Sequence, residues 1–437
     1  MEILEALAWL DSHLDHESGT AGIAAGKVEG LSLASMEQLV ALLGDPQHDV
    51  PVIHITGTNG KGSVAAMITA LLGVHGLTVG TFTSPHLDRI NERISRDGEP
   101  ISDVDLAEVL SGLATVEELL PVRPTWFELV TAAAFRWFAE APVDVAVVEV
   151  GLLGRYDATN VVDGRVTVVT GVGGDHTNFA PGWEQSVATE KAGIIRPDAI
   201  AVLGPMAPEL REVFESEGPQ ELWCHGDGFE VDRQSVAVGG RVIDVRGALG
   251  RYDDVFIPLH GAQQGENAAV SIAAVEAFFG RELDHDLVQE GFATLRLQAR
   301  FEVVSHAPLV ILDVAHNPDA IRRAAQTLDE EFTVIGSRTV VIGMLAGRDP
   351  DATADVLADA RPDLVVCTSL GDEGRSLDGR VLAAAMQRRG LATEVVPDAA
   401  EAVARVLQRA EDEDLVLILG SFRLMTPARL AIAASSL

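Results

Sequence analysis

Residues 55–67 read ITGTNGKGSVAAM, and no other stretch restricts the fold as strongly. The run before it, PVIHIT (51–56), suits a buried strand. SVAAMITALLGVHG has the character of a helix, and LTVGTF (77–82) reads as a second strand. Strand, glycine loop, helix, strand is the order of a parallel βαβ unit, in which the loop presents backbone N–H groups and a helix N-terminus to an anion. The loop departs from the usual spacing of Gly, four residues, then Gly-Lys-Ser/Thr. Ile55 stands five residues before Gly60, and Gly62 separates Lys61 from Ser63. An ordinary tight turn is the alternative reading of these glycines. The βαβ frame favours a nucleotide site formed by Thr58, Asn59, Gly60, Lys61, Gly62 and Ser63. There the backbone from Asn59 to Ser63 cradles phosphate, Lys61 neutralises it, and Ser63 lies near the β-phosphate or a metal.

The chain has 437 residues, more than one core organises, which predicts two or three domains. Further apolar runs at 143–150, 165–172 and 199–204 alternate with helical stretches such as FELVTAAAFRWFAE, the pattern of a doubly wound sheet. From about 219 to 260 the text changes to short polar and apolar alternations with glycine turns, predicting an antiparallel β insertion. A helix follows from about Gly265 to Phe279. Near LRLQARFEVV the α/β alternation restarts, with strands in PLVILDV, RTVVIGML, DLVVCTS, TEVVP and DLVLILGS. The expected division is 1–297 for a phosphate-loop ATPase domain with its β insertion, and 298–437 for a Rossmann-like α/β domain. A cleft between two such domains is the natural place for chemistry.

Composition removes several classes of function. The formal net charge is -34, which argues against nucleic acid or an anionic membrane as partner. It leaves anionic small molecules open, because charges beyond about 8 Å are screened and a few local cations suffice. No apolar run reaches bilayer length, and the acidic N-terminus resembles neither a signal nor a transit peptide. Cys224 and Cys367 form no metal or redox motif, so a reduced cytoplasmic protein is expected. Only three lysines occur, Lys27, Lys61 and Lys191. A chain that uses Arg almost everywhere else keeps Lys where Arg cannot substitute.

Four further groups can carry chemistry. Glu149 ends VDVAVVEV, and a carboxylate at that strand tip beside a phosphate loop suits Mg2+; a solvated strand-end acid is the alternative. Asp175 and His176 follow the next strand and read either as a loop cap or as part of a second metal position. Lys191, in TEKAGII, reads on its own as a surface lysine paired with Glu190 or another acid; carbamylation by CO2 is chemistry open to it and closed to arginine. Asp313 and His316, in LDVAHNPDA, end a strand of the second domain and open a helix that Asn317 or Asp319 can cap.

Taken together, IHITGTNGKGSVAAM, TSPHLDRINERI, TWFELVTAAAF, EVGLLGRYDATN, DHTNF, EKAGII, ENAAVSIAA, LQARFEVV and DVAHNPDA resemble the folylpolyglutamate synthase/dihydrofolate synthase family, within the Mur-ligase type of ATP-dependent amide ligases. The segments run in family order across most of the chain. The resemblance implies that Ser84, Glu149 and His176 hold Mg2+, with two ions expected, and that Lys191 is carbamylated and supports the second. It implies ATP contacts from Asn267, Arg300 and Asp313, and places His316 and Ser421 near the incoming glutamate. Thr125, Phe127, Asp157 and Ala158 would line the pterin site; Phe127 read by itself is helix core.

Three departures bear on the substrate more than on the reaction. Gln298-Ala299 replaces Pro-Gly before Arg300, implying a less rigid linker. Gln263-Gln264 replaces His-Gln near the adenine, and TNFAPGWEQ lacks the usual Leu-Gly.

The expected reaction is ATP-dependent ligation of L-glutamate to a folate-type carboxylate, dihydropteroate, a tetrahydrofolate polyglutamate or both, by a monomer. The alternatives are another Mur-type amino-acid ligase, such as one acting on a cell-wall precursor, and a phosphate-loop ATPase that ligates nothing.

Overall fold

The computed structural model describes residues 1–14, 32–174, 177, 180–371 and 375–435. The chain forms two compact units. One comprises Met1–Ser235, Val242–Ile257 and Gly265–Leu295, the other Val236–Arg241, Pro258–Gln264 and Arg296–Leu437.

The main sheet of the first unit has eight strands: β1 (Val52–Thr56), β2 (Val79–Phe82), β3 (Ile94–Arg96), β4 (Glu99–Pro100), β5 (Val145–Glu149), β6 (Gly164–Val169), β7 (Ile200–Leu203) and β8 (Glu221–Cys224). Their order is β4-β3-β2-β5-β1-β6-β7-β8. Pairing is parallel from β2 to β8, and antiparallel where β3 meets β2 and β4. The valine- and isoleucine-rich strands β1 and β5 are buried along their whole length, as parallel strands covered on both faces must be. Helix Trp126–Glu140 packs an almost wholly buried first half into the core that also holds Val52, Phe82 and Val148.

One reading of the sequence changes here, and one hairpin was not read from it. Residues 221–224, expected in the β insertion, extend the main sheet as β8, in register with β7. The charged text RISRDGEP carries the β3–β4 hairpin, which borders β2 and shows no strand-like alternation of its own. The insertion itself is the three-stranded sheet of β9 (Glu230–Ala237), β10 (Gly240–Arg246) and β11 (Arg251–Ile257), in the order β11-β10-β9.

The second unit holds a six-stranded sheet: β12 (Glu302–His306), β13 (Leu309–Leu312), β14 (Arg338–Gly343), β15 (Leu364–Thr368), β16 (Thr393–Val395) and β17 (Leu415–Leu419), ordered β12-β13-β17-β14-β15-β16. All pairs are parallel except β12–β13. Helices Pro318–Glu331, Pro350–Ala360, Gly379–Arg388 and Ala399–Arg409 bury regular apolar stripes between polar faces. Both cysteines are buried, and burial raises both thiols, Cys367 to about 12.

Candidate active site

In the first unit the C-terminal edge of the parallel sheet gathers the residues singled out above. β1 runs into the loop Gly57–Gly60, and helix Lys61–Val74 starts immediately after it. Gly60 has φ +89°, and a Cβ there would lie 2.7 Å from Asn267 Oδ1, so conformation and space both require glycine. That contact brings Asn267 beside the loop. The loop is pinned from β6: Thr170 Oγ1 donates to Asn59 O (2.7 Å), and Thr58 N–H donates to Gly171 O (3.0 Å). Lys61 Nζ folds back onto Gly57 O at 3.3 Å, and Ser63 is buried. The result is a fixed turn of backbone N–H groups, at a helix N-terminus, carrying one ammonium.

Glu149 ends β5, the strand between β1 and β2. It is 3% exposed, so the solvated strand-end acid is ruled out. Its Oε2 accepts the Ser84 N–H at 3.2 Å, which places the loop after β2 against the carboxylate. A carboxylate and a hydroxyl are hard oxygen donors of the kind Mg2+ takes, so these two residues fit that ion. His176, and Asp175 with it, lie outside the described residues. Among the described residues no group of three or more His, Cys, Asp and Glu is poised to hold a metal.

Lys191 corrects a reading from the sequence. It is buried in the last turn of helix Trp183–Ala192, not on the surface. Its neighbour Glu190 is buried too, and burial raises that carboxyl against the opposing charge of Arg155.

Of the residues expected at a ring site, Thr125 caps helix Trp126–Glu140, sharing a reciprocal capping box with Glu128. Phe127 packs on Phe82 at a centroid distance of 5.9 Å and lies flat against Gly151, where a Cβ would approach its Cζ to 2.4 Å. Asp157 and Ala158 are buried in the loop that follows Gly151. Asp157 accepts the N–H groups of Leu152 (2.8 Å) and Thr159 (3.0 Å); burial raises its carboxyl, and these bonds act the other way.

In the second unit, three segments distant in sequence converge at the ends of β13 and β17. Asp313 is half-buried after β13 and accepts the Ala315 N–H (2.6 Å) and the Phe301 N–H (2.8 Å). Burial raises its carboxyl, while the backbone bonds and the Arg300 charge lower it. Arg300 lies over the Phe422 ring at 5.1 Å, and the His316 ring is 5.9 Å from the same phenyl. Ser421 is buried and caps the turn Phe422–Leu424.

The linker is not loose, as its Gln298-Ala299 text implied. Ala299 and Phe301 both hold φ of +52°. Three hydrogen bonds tie them: Ala299 N–H to Glu302 (2.6 Å), Val314 N–H to Ala299 O (3.0 Å) and Phe301 N–H to Asp313. Phe422 escaped the sequence reading although GSFRLM was noted for Ser421; an aromatic just after an apolar strand and a glycine was the available signal.

Residues 299–422 match the model of the Mur ligase, glutamate ligase domain. The dihydrofolate synthase/folylpolyglutamate synthase of Mycobacterium tuberculosis is 40% identical over 387 residues, 82% of this chain and 78% of that protein. The chain belongs to the dihydrofolate synthase/folylpolyglutamate synthase family. It is accordingly an ATP-dependent ligase that joins glutamate to a folate-type carboxylate. Solved structures agree along the full length. M. tuberculosis folylpolyglutamate synthase complexed with ADP and AMPPCP superposes with a TM-score of 0.88 at 36% identity, covering 98% of both chains. A bifunctional folylpolyglutamate synthase/dihydrofolate synthase with Mn, AMPPNP and L-glutamate bound gives 0.84 at 27% identity, over 100% of this chain and 98% of that one. Family membership excludes the non-ligating ATPase. No helix among the described residues is long and apolar enough to cross a membrane.

Proposed function

We propose that the chain activates the acceptor carboxylate as an acyl phosphate, which the α-amine of L-glutamate then attacks to give an amide, ADP and phosphate. The observation that carries this is the glycine turn at the end of β1, with Lys61 on it and Glu149 at the tip of the adjacent strand. A carboxylate is a poor electrophile at neutral pH, and phosphorylation supplies a leaving group. In this reading the N–H groups from Asn59 to Ser63 hold the terminal phosphates, and Lys61 balances the charge that grows on the moving phosphoryl group. Asn267, beside Gly60, contacts the nucleotide. Ser84, Glu149 and His176 would hold a divalent cation, as the relative solved with Mn and AMPPNP also supports. When bound, that cation neutralises phosphate charge.

Lys191 in this reading is carbamylated. Its burial, in a chain with three lysines, supports a lysine kept for chemistry rather than for surface charge. Carbamylation replaces a buried ammonium by a carboxylate that can serve a second cation. Arg300, stacked on Phe422, and Asp313 contact ATP, while His316 and Ser421 receive glutamate. The attacking amine must be neutral, and the upward shift of Asp313 suits a group that takes a proton. Thr125, Phe127, Asp157 and Ala158 line the site for the pterin ring, whose flat face matches an aromatic wall. A monomer working in the cytoplasm completes the proposal.

Hydroxylamine trapping tests the intermediate. Enzyme, ATP and a folate-type acceptor without glutamate should yield acceptor hydroxamate in step with ADP. ADP without hydroxamate, or hydroxamate only when glutamate is present, would contradict the acyl phosphate.

A further inference from the structure

His54 sits in the middle of β1, two residues before the strand ends, and is completely buried. A polar ring among valines and isoleucines is costly there unless its hydrogen bonds do something an apolar side chain cannot. Its Nε2 is 2.9 Å from Thr159 Oγ1, and that hydroxyl is 2.6 Å from Asp157 Oδ1. Both carboxylate oxygens of Asp157 also accept backbone N–H groups, from Leu152 and from Thr159. An ionised carboxylate only accepts, so the single Thr159 proton goes to Asp157 and the hydroxyl offers its lone pair to His54. The imidazole therefore carries its proton on Nε2. Its Nδ1 is buried with no hydrogen-bond partner. Burial, then the charge of Arg196, lower the ring's pKa to about 3, so a proton on Nδ1 is disfavoured.

The segment that this chain of bonds reaches, 151–162, is anchored at two places. On one side it is tied to β1 through Thr159 and His54. On the other, Arg196 donates to Asn160 O (2.8 Å), Asn160 Oδ1 (3.1 Å) and Val162 O (3.3 Å), and Asn160 Nδ2 donates to Gly193 O (3.0 Å), just past the helix of Lys191. The same segment starts at Gly151, against the Phe127 ring.

We infer that His54 and Thr159 are positioning residues for the acceptor: they lock Asp157, and with it the 151–160 loop, to the strand that carries the phosphate loop. Neither touches the acceptor. They set where its ring is held relative to the phosphate that its carboxylate must meet. This rests on the reading that Asp157 and Ala158 line the ring site.

The test uses four variants of the full chain. His54→Phe keeps a ring and loses the donor, while His54→Gln keeps an N–H donor. Thr159→Val is isosteric without the hydroxyl, and Thr159→Ser keeps it. For each, kcat and KM are measured for dihydropteroate, for tetrahydrofolate and for ATP, with ATP binding followed by calorimetry. His54→Phe and Thr159→Val should each raise the acceptor KM about tenfold, the order of one lost hydrogen bond, and leave the ATP KM within about twofold. His54→Gln and Thr159→Ser should stay within about threefold of the parent. The double variant should be no worse than Thr159→Val alone, because one chain of bonds is cut either way.

An unchanged acceptor KM, an equal rise in the ATP KM, or conservative variants as impaired as the others would each overturn the inference. If His54→Phe does not fold or bind ATP, the isosteric Thr159 pair decides. A parent enzyme indifferent to both acceptors would instead sink the folate reading, and this inference with it.

Discussion

The phosphate loop of the first unit and the Asp313 edge of the second both lie at C-terminal ends of parallel strands, yet they are built from different materials. The first is backbone: a short run of consecutive residues at a helix N-terminus, pinned by Thr170 and by the close approach of Asn267. The second is side chain: Arg300, Asp313, His316 and Phe422 arrive from three separate segments, and one half-buried carboxylate organises them. A backbone site survives most side-chain changes except at its charge. A side-chain site depends on the residue that collects the others.

The largest effect should come from removing charge at the backbone site. Lys61→Ala or Glu149→Ala should cut glutamate-dependent ADP release by about 10³ with the melting curve preserved, the scale of losing an electrostatic group that acts on the transition state. Near-normal turnover in either variant would contradict the assignment.

Asp313→Asn probes the other edge. The amide keeps the shape but turns an NH2 toward one of two backbone donors. Stability should fall by about 2 kcal/mol in urea unfolding, and kcat/KM by about 10² as the linker and Arg300 lose register. A variant with parental stability would show that Asp313 does not hold the linker.

Titratable groups of the two units should also differ in pH response. His54 is neutral when folded and takes a proton near 6.5 when unfolded, so its contribution to stability is complete above pH 6.5 and declines as pH falls toward about 3. Between pH 6 and 4 the parent should lose about 1.4 kcal/mol more per pH unit than His54→Gln. Asp313 has the opposite sign: its folded carboxyl is raised above 3.8, so its contribution is present at low pH and lost as pH rises through the folded value. Identical slopes for parent and His54→Gln would place the imidazole in water.

The smallest effect is expected at the linker. Ala299→Gly relieves a left-handed alanine by about 1–2 kcal/mol. It gives back a comparable amount in unfolded-chain entropy and a buried methyl. The net change should stay within about 1 kcal/mol, with kcat unaltered. A large loss of activity would mean that the methyl, not the hydrogen bonds, fixes Arg300.

This contrast also explains what could be read from the sequence. ITGTNGKGSVAAM carries its own context, because strand, turn and helix are contiguous; the loop was legible without any relative. Glu149 was legible as the tip of an apolar strand. Lys191 was misread as a surface residue because its helix has no clear apolar stripe in sequence and its burial comes from the Gly154 loop packing onto it. Residues 221–224 were placed in the insertion because a short edge strand beside β7 has the same alternation as a hairpin strand. The Phe422 platform and the Asp157–Thr159–His54 chain are tertiary: their members lie about a hundred residues apart, and only the fold brings them together. The roles given to Arg300 and Ser421 came from family resemblance, since nothing local in LQARFEVV or GSFRLM singles them out; His316 was picked out in LDVAHNPDA, and only its place near glutamate came from the resemblance.

The most direct measurement is ADP release by the purified chain with ATP and Mg2+, with and without L-glutamate, using dihydropteroate and tetrahydrofolate in parallel. The account predicts release that requires glutamate together with at least one of the two acceptors, the pattern showing whether one or both are used. Sustained release over many turnovers with neither glutamate nor another nucleophile such as hydroxylamine, or silence with both acceptors from folded protein that binds ATP, would contradict it.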